Sequence, residues 1–230
     1  MRSLVAPDEC LLSGAEAGGL MRSLVAALLL LVGSVPDALG EDRSWNFRVT
    51  LDGREIGQHR FTLTTTGDAR ELRSEARFDV RVLFVSVYRY SHEAVERWQG
   101  GCLDSLVART ETNGERQDVS ASARGDRLVV ERPDRREEHP GCIMSFAYWD
   151  PQILQARALL NSQTGELEPV TITAQGDDTV EVRGRMMSAQ RHRIVAPQLR
   201  IDLWYADGQW VALEAPAQGG RRLRYELTGA

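Results

Sequence analysis

Lysine is missing altogether from the 230-residue chain: all 28 of its basic residues are arginine, and 33 acidic residues outnumber them. With acids in excess, there is no broad positive field to draw nucleic acid or an anionic membrane surface. Arginine suits bidentate pairing with carboxylates, although a bias of this kind constrains function weakly. Histidine is scarce too. His59, His92, His139 and His192 show neither His-x-His nor His-Glu-x-x-His spacing, so no metal site is expected. No Gly-x-Ser-x-Gly elbow, P-loop or dinucleotide fingerprint is present, which removes support for the common hydrolase, nucleotidase and dehydrogenase classes, and no cofactor is called for.

Long apolar runs are equally rare. The one at Leu24 to Val32 is too short for a helix that must cross about 30 Å of hydrocarbon, so a permanent membrane anchor is not expected. Its setting reads as a secretory signal: Arg22 precedes it, Gly33-Ser34 and Pro36 follow, and Ala38-Leu39-Gly40 offers small residues at the cleavage subsites. Residues 1–40 are therefore read as a leader cut after Gly40, and the destination as the periplasm. Met-Arg-Ser-Leu-Val-Ala occurs at Met1 and again at Met21, and the acids Asp8, Glu9 and Glu16 between them suit a signal start poorly. Met21 is the expected initiator, although the residues leave Met1 open. Cleavage would remove two arginines and four acids, leaving about three net negative charges, too few to steer partners. It would also remove Cys10, so that Cys102 and Cys142 are left in an oxidising compartment, where a disulfide is the default.

What the chain has in quantity is alternation. Leu72, Ala76, Phe78, Val80 and Val82 interleave with Glu71, Arg73, Glu75, Arg77, Asp79 and Arg81, the pattern of a strand with one face on a core and the other in water. The same period of two runs through Trp45, Phe47, Val49 and Leu51. Asp52-Gly53, Asn113-Gly114, Gly125-Asp126 and Asp207-Gly208 mark turns between such runs. Further strands are read at Glu166 to Ala174, Thr179 to Met187 and Gln190 to Val195, and Pro133 to Gly141 is read as a polar loop. Asp150 as cap and Pro151 in the first turn predict one short α-helix, near 151–160. The fold class is mainly β: residues 41–230 form one domain, an antiparallel meander curled into a barrel or half-barrel, with the helix plugging an open side.

The stretch from Tyr90 to Leu103 (Tyr-Ser-His-Glu-Ala-Val-Glu-Arg-Trp-Gln-Gly-Gly-Cys-Leu) resembles the central motif of an uncharacterised bacterial periplasmic family, a domain of unknown function. Phe146-Ala147-Tyr148-Trp149-Asp150, Thr164-Gly165-Glu166-Leu167 and the run from Leu203 to Val211 follow in the same order, so that the resemblance spans about Phe47 to Leu227. It implies export and one β-rich domain, with no established activity. The broad pattern is also similar to envelope proteins of the lipoprotein-carrier half-barrel kind, a likeness of fold alone.

His92, Glu96 and Trp98 share one strand face with Tyr88 and Tyr90. They could line a pocket in which His and Glu fix a polar head or exchange protons, or form a satisfied network within the core. Tyr148, Trp149, Trp204 and Tyr205 have apolar bodies with polar tips, suited to a pocket or to a β core. Alternation puts Trp204 and Tyr205 on opposite faces, so one of them must look away from the core. Three readings stand. The first is a periplasmic protein that binds or carries an apolar or amphipathic envelope molecule, such as a lipid, near His92, Glu96, Trp98, Tyr148, Trp149, Trp204 and Tyr205. The second is a module that binds an envelope protein through a sheet edge or the Pro133 to Gly141 segment. The third, an enzyme with His92 and Glu96 as acid and base, requires both in one open cleft.

Overall fold

Alternating strands joined by tight turns fold here into one long meander. The computed structural model describes residues 41–82 and 85–229; the expected leader, its cleavage site and the choice of initiator lie outside the described residues. The first eight strands are β1 (Glu41–Leu51), β2 (Arg54–Thr66), β3 (Ala69–Val82), β4 (Val85–Gln99), β5 (Cys102–Thr112), β6 (Glu115–Arg124), β7 (Arg127–Arg132) and β8 (Arg135–Pro140). Two short strands, β9 (Ala158–Leu160) and β10 (Leu167–Pro169), pair with each other. The last five are β11 (Thr171–Val182), β12 (Arg185–Ala196), β13 (Leu199–Ala206), β14 (Gln209–Ala217) and β15 (Arg221–Gly229).

All but β9 and β10 belong to a single antiparallel sheet of 13 strands in the order β11-β12-β13-β14-β15-β1-β2-β3-β4-β5-β6-β7-β8. The first strand thus sits in the middle, joined to the last. Asp52-Gly53, Asn113-Gly114 and Asp207-Gly208 have positive φ at both residues, the backbone that two-residue hairpins require and that Asp, Asn and Gly tolerate best.

Three sequence-based expectations are corrected. A closed barrel is not formed: β8 and β11 end the sheet without pairing, and β11 instead leans over β14 and β15, with the Arg183 amide donating to the Leu227 carbonyl at 3.1 Å. The α-helix near 151–160 is a 3-10 turn, Pro151–Gln155, followed by strand β9. Asp150 does cap it, its Oδ1 accepting from the Gln152 amide at 2.9 Å. One turn is too short to sustain a helix, and Leu159 and Leu160 are buried more fully as a strand paired to β10. Pro133 to Gly141 is no loop, because β8 fills most of it as an edge strand whose charges and terminal Pro140 suit an edge. In addition, the three runs read between Glu166 and Val195 are mostly two strands, β11 and β12. Their turn is Arg183-Gly184, where an arginine at φ 52° hides the usual signal.

Because β8 and β11 lie at opposite ends of the sheet, the chain between them must travel across one of its faces. Residues 141–170 do this, and the face they cover is called inner below. Ile153, Leu159 and Leu160 are completely buried there, in one cluster with Trp98, Leu103, Leu106, Leu203 and Trp210. The crossover is fastened at its start by the Cys102–Cys142 disulfide and by the Leu103 amide, which donates to the Ile143 carbonyl at 2.9 Å. With the two cysteines 40 positions apart in sequence, that bond removes unfolded-state entropy worth about 4 kcal/mol in the chain-entropy account. Among the described residues no helix is long and apolar enough to cross a membrane.

Candidate functional site

Strand β4 carries the residues singled out in the sequence, and the crossover decides what they become. Trp98, 1% exposed, lies against Trp149 of the crossover with ring centres 5.6 Å apart and planes perpendicular. The Arg70 guanidinium sits 4.8 Å from the Trp149 ring and reaches Asp150 Oδ2 at 2.8 Å, so one β3 side chain clips two crossover residues to the sheet. Glu96 is buried beside them. Its Oε2 accepts from Trp98 Nε1 at 3.1 Å and from Ser145 Oγ at 2.9 Å. Burial pushes its carboxyl up to about 7, and the Ser145 and Trp98 donors only partly oppose that rise.

His92, four residues away along β4, pairs its Nδ1 with Thr110 Oγ1 at 2.9 Å and its Nε2 with Ser162 Oγ of the crossover at 3.5 Å. Burial pulls the imidazole down to about 4, so it is neutral across the physiological range. His92 and Glu96 make no contact with each other. Four residues along a strand separate them by roughly 13 Å.

Tyr148 and Tyr205 meet, the Tyr205 hydroxyl donating to the Tyr148 carbonyl at 2.7 Å, while the Tyr148 ring leans on Trp210 with centres 5.3 Å apart. Trp204 is on the opposite, outer face, as alternation requires, yet buried. Its Nε1 donates to Asp178 Oδ2 at 3.0 Å, and the guanidinium groups of Arg191 and Arg224 lie 5.1 and 5.6 Å from the ring. Glu96, Trp98 and Trp149 therefore form one packed cluster; Tyr148 and Tyr205 form a second contact; Trp204 is apart from all of them. Among the described residues no group of three His, Cys, Asp or Glu side chains is placed to hold a metal.

The same inner face opens at the other end of β4. β2 pairs with β3 as far as Gly57 opposite Phe78; beyond that point β2 stays with β1 and β3 stays with β4, so the sheet splits. Gly57 makes the split possible. Its φ is 151°, and a Cβ there would fall 1.9 Å from the Arg77 carbonyl oxygen, an approach only glycine allows. Two bulges sit across the split, one at Ile56, between the paired residues Glu55 and Gly57, and one at Val87, between Ser86 and Tyr88. Bulges re-aim side chains, and both of these residues line the opening.

The result is a hollow of about 820 Å³. Leu51, Ile56, Val80, Val87 and Leu223 form apolar walls. Phe78 and Tyr90 are stacked 5.1 Å apart, and Tyr225 meets Phe78 edge-on at 6.3 Å; all three line the hollow. Tyr88, Tyr90 and Tyr225 bring three phenols, all held in the neutral form by burial. Behind Tyr225 lies half-buried His59, whose Nδ1 is 3.3 Å from the Tyr225 hydroxyl and whose Nε2 is 2.7 Å from Ser74 Oγ. Desolvation holds His59 well below its ordinary value, with His92 adding to the effect. Asn113, Gln163, Gln218 and Arg221 supply the remaining polar groups, and among the described residues no carboxylate lines the hollow.

None of the seven residues singled out from the sequence lines this hollow. Sequence reasoning placed Tyr88 and Tyr90 on the right face but missed the walls. The available signal was Gly57 inside a strand, together with a run from Val82 to Val87 that is apolar on both faces where a half-exposed strand should alternate.

Residues 47–228 match a domain of unknown function (DUF6134), and the chain belongs to that family. No curated protein matches the chain.

Proposed function

We propose that the protein is exported to the periplasm and there binds an amphipathic molecule, such as a lipid, in the hollow at the split between β2 and β3. The sheet then acts as a half-barrel, with the crossover filling most of its inner face and leaving one end for the ligand. The observation that carries this reading is the hollow itself: about 820 Å³, aliphatic and aromatic walls, phenol and amide donors, and no acid among the described residues. That volume lies within the range of small-molecule sites, roughly 300 to 1,000 Å³. The one formal charge in the lining among the described residues is Arg221, which has the Asp52 carboxylate 4.0 Å away and more than half exposed. The ligand class that fits is an alkyl chain with an anionic or hydrogen-bond-accepting head.

Three of the seven residues named from sequence support the site from behind. Glu96, Trp98 and Trp149 hold the crossover to the sheet, and Gln163, at its far end, reaches the hollow.

Native mass spectrometry with solvent extraction of protein purified from its own host tests the reading. A stoichiometric amphiphile lost on extraction is the expected result. Protein that is bare, with the two-hydrogen deficit of a disulfide, would overturn it.

A further inference from the structure

One wall of the hollow is a two-stranded ribbon that outruns both of its neighbours. β2 leaves β3 at Phe78, and β5 pairs with β4 only from Tyr90, opposite Thr112. Beyond those points, among the described residues, β3 and β4 pair only with one another, from Asp79 opposite Arg89, which Asn113 still holds through backbone and side chain, to Val82 opposite Val85. A ribbon of two strands is marginal in water. This one also carries exposed apolar side chains: Val85 is 63% exposed, Val87 53% and Tyr88 37%. The other exposed large hydrophobic residues among those described occur singly, Val107 on β5 and Met186 and Val195 at opposite ends of β12.

We propose that this ribbon is a membrane-docking tip, which enters the interfacial layer of a lipid bilayer and sets the mouth of the hollow against the lipid. The proposal rests on the ligand reading above, because a poorly soluble amphiphile must be taken from, or returned to, a lipid phase. Val87 and Tyr88 belong to both surfaces, exposed on the ribbon and lining the hollow, so the tip and the cavity are continuous.

The tip suits a bilayer better than a protein. A stable protein interface covers about 800 Å² on each partner, far more than a few side chains of a two-stranded ribbon provide. A bilayer asks for no shape match, only apolar residues with amphipathic and basic ones at the boundary. Tyr88 supplies a ring with a polar tip, and Arg89 bears its charge at the ribbon's base, where a long stem lets the guanidinium group reach phosphates, while Arg81, nearer the end, is neutralised by Asp79 at 2.8 Å. The net negative charge of the chain means that burial, and not charge, drives the docking, so added salt has little effect.

The test is co-sedimentation of the disulfide-bonded protein with vesicles of phosphatidylethanolamine and phosphatidylglycerol. Wild-type protein is expected to sediment with the vesicles at low and high salt alike. The variant Val85→Asp, at an exposed ribbon residue that does not line the hollow, is expected to bind about tenfold more weakly, from a lost apolar contact and a charge set in the interfacial layer. Val107→Asp, an equally exposed site on another strand, should sediment as wild type does. Thermal unfolding of each variant checks that the sheet is intact, and binding of a fluorescent long-chain fatty acid reads the hollow separately. A Val85→Asp variant that keeps the fatty acid but loses the vesicles establishes the tip. Wild-type protein that ignores vesicles while binding the fatty acid overturns the docking proposal and leaves the ligand reading standing, as does crosslinking of the tip to a protein with no sedimentation. Loss of fatty acid binding by the wild type sinks the ligand reading itself.

Discussion

The two ends of strand β4 show what makes an aromatic row a core or a site. Tyr88, Tyr90, His92, Glu96 and Trp98 share one face. At the Trp98 end the crossover lies directly on that face, and each polar atom of Glu96 and His92 that forms a bond finds its partner inside the protein. At the Tyr90 end the crossover has moved on, β2 has turned away at Gly57, and the same face opens onto a hollow. Residue type along the strand is similar at both ends; the covering is different. The difference teaches that a buried His or Glu on a strand face is read correctly only once its lid is known.

The largest expected effect is at the closed end. Trp98→Ala should destabilise the protein by about 4 kcal/mol in denaturant unfolding, by opening a cavity beside Trp149 and taking a donor from Glu96. A cost as small as that of a surface substitution would show that the closed end is not packed as described.

Next comes the pH dependence of Glu96. Its folded carboxyl titrates near 7, above the ordinary 4.5. Stability from this group is therefore complete below about 4.5 and is lost as pH rises toward 7, by about 3 kcal/mol in total. Glu96→Gln, which can still accept from Ser145 and Trp98, should flatten the stability profile between those values. His92 acts in the opposite sense: depressed to about 4, it makes the protein lose stability as pH falls from about 6.5 through that value, and this slope should survive in Glu96→Gln.

Gly57→Ala sharpens the contrast from the open side. A Cβ against the Arg77 carbonyl forces β2 and β3 apart, at an expected cost of about 2 to 3 kcal/mol together with weaker ligand binding. An alanine variant of wild-type stability would mean that the split does not depend on glycine. The smallest effect is expected from Tyr90→Phe, which keeps the stack on Phe78 while removing a phenol from the hollow. Stability should change by less than about 1 kcal/mol, with the difference appearing in ligand affinity alone.

Much of the fold was legible because alternation and turn chemistry are local. The strands through Glu131 and the Asp-Gly and Asn-Gly turns follow from neighbouring residues. The disulfide followed from counting cysteines once a leader is assumed. What failed was set from a distance. Asp150-Pro151 carries a valid helix start, yet tertiary burial of Leu159 and Leu160 makes the following segment a strand. Arg183-Gly184 turns the chain without an Asn or Asp to announce it. The hollow was illegible for the same reason: it arises where β2 and β3 part company, and register beyond a bulge is not written in either strand alone. The face of Tyr88 and Tyr90 could be read, but which end of it stays uncovered could not.

The most direct test of the central claim is titration of a fluorescent long-chain fatty acid into the wild type and into Ala217→Trp, whose ring would fill the hollow from the β14 side. One site per chain in the wild type, lost in Ala217→Trp at unchanged melting temperature, is the expected result. Equal binding by both proteins would place the ligand elsewhere and contradict the account.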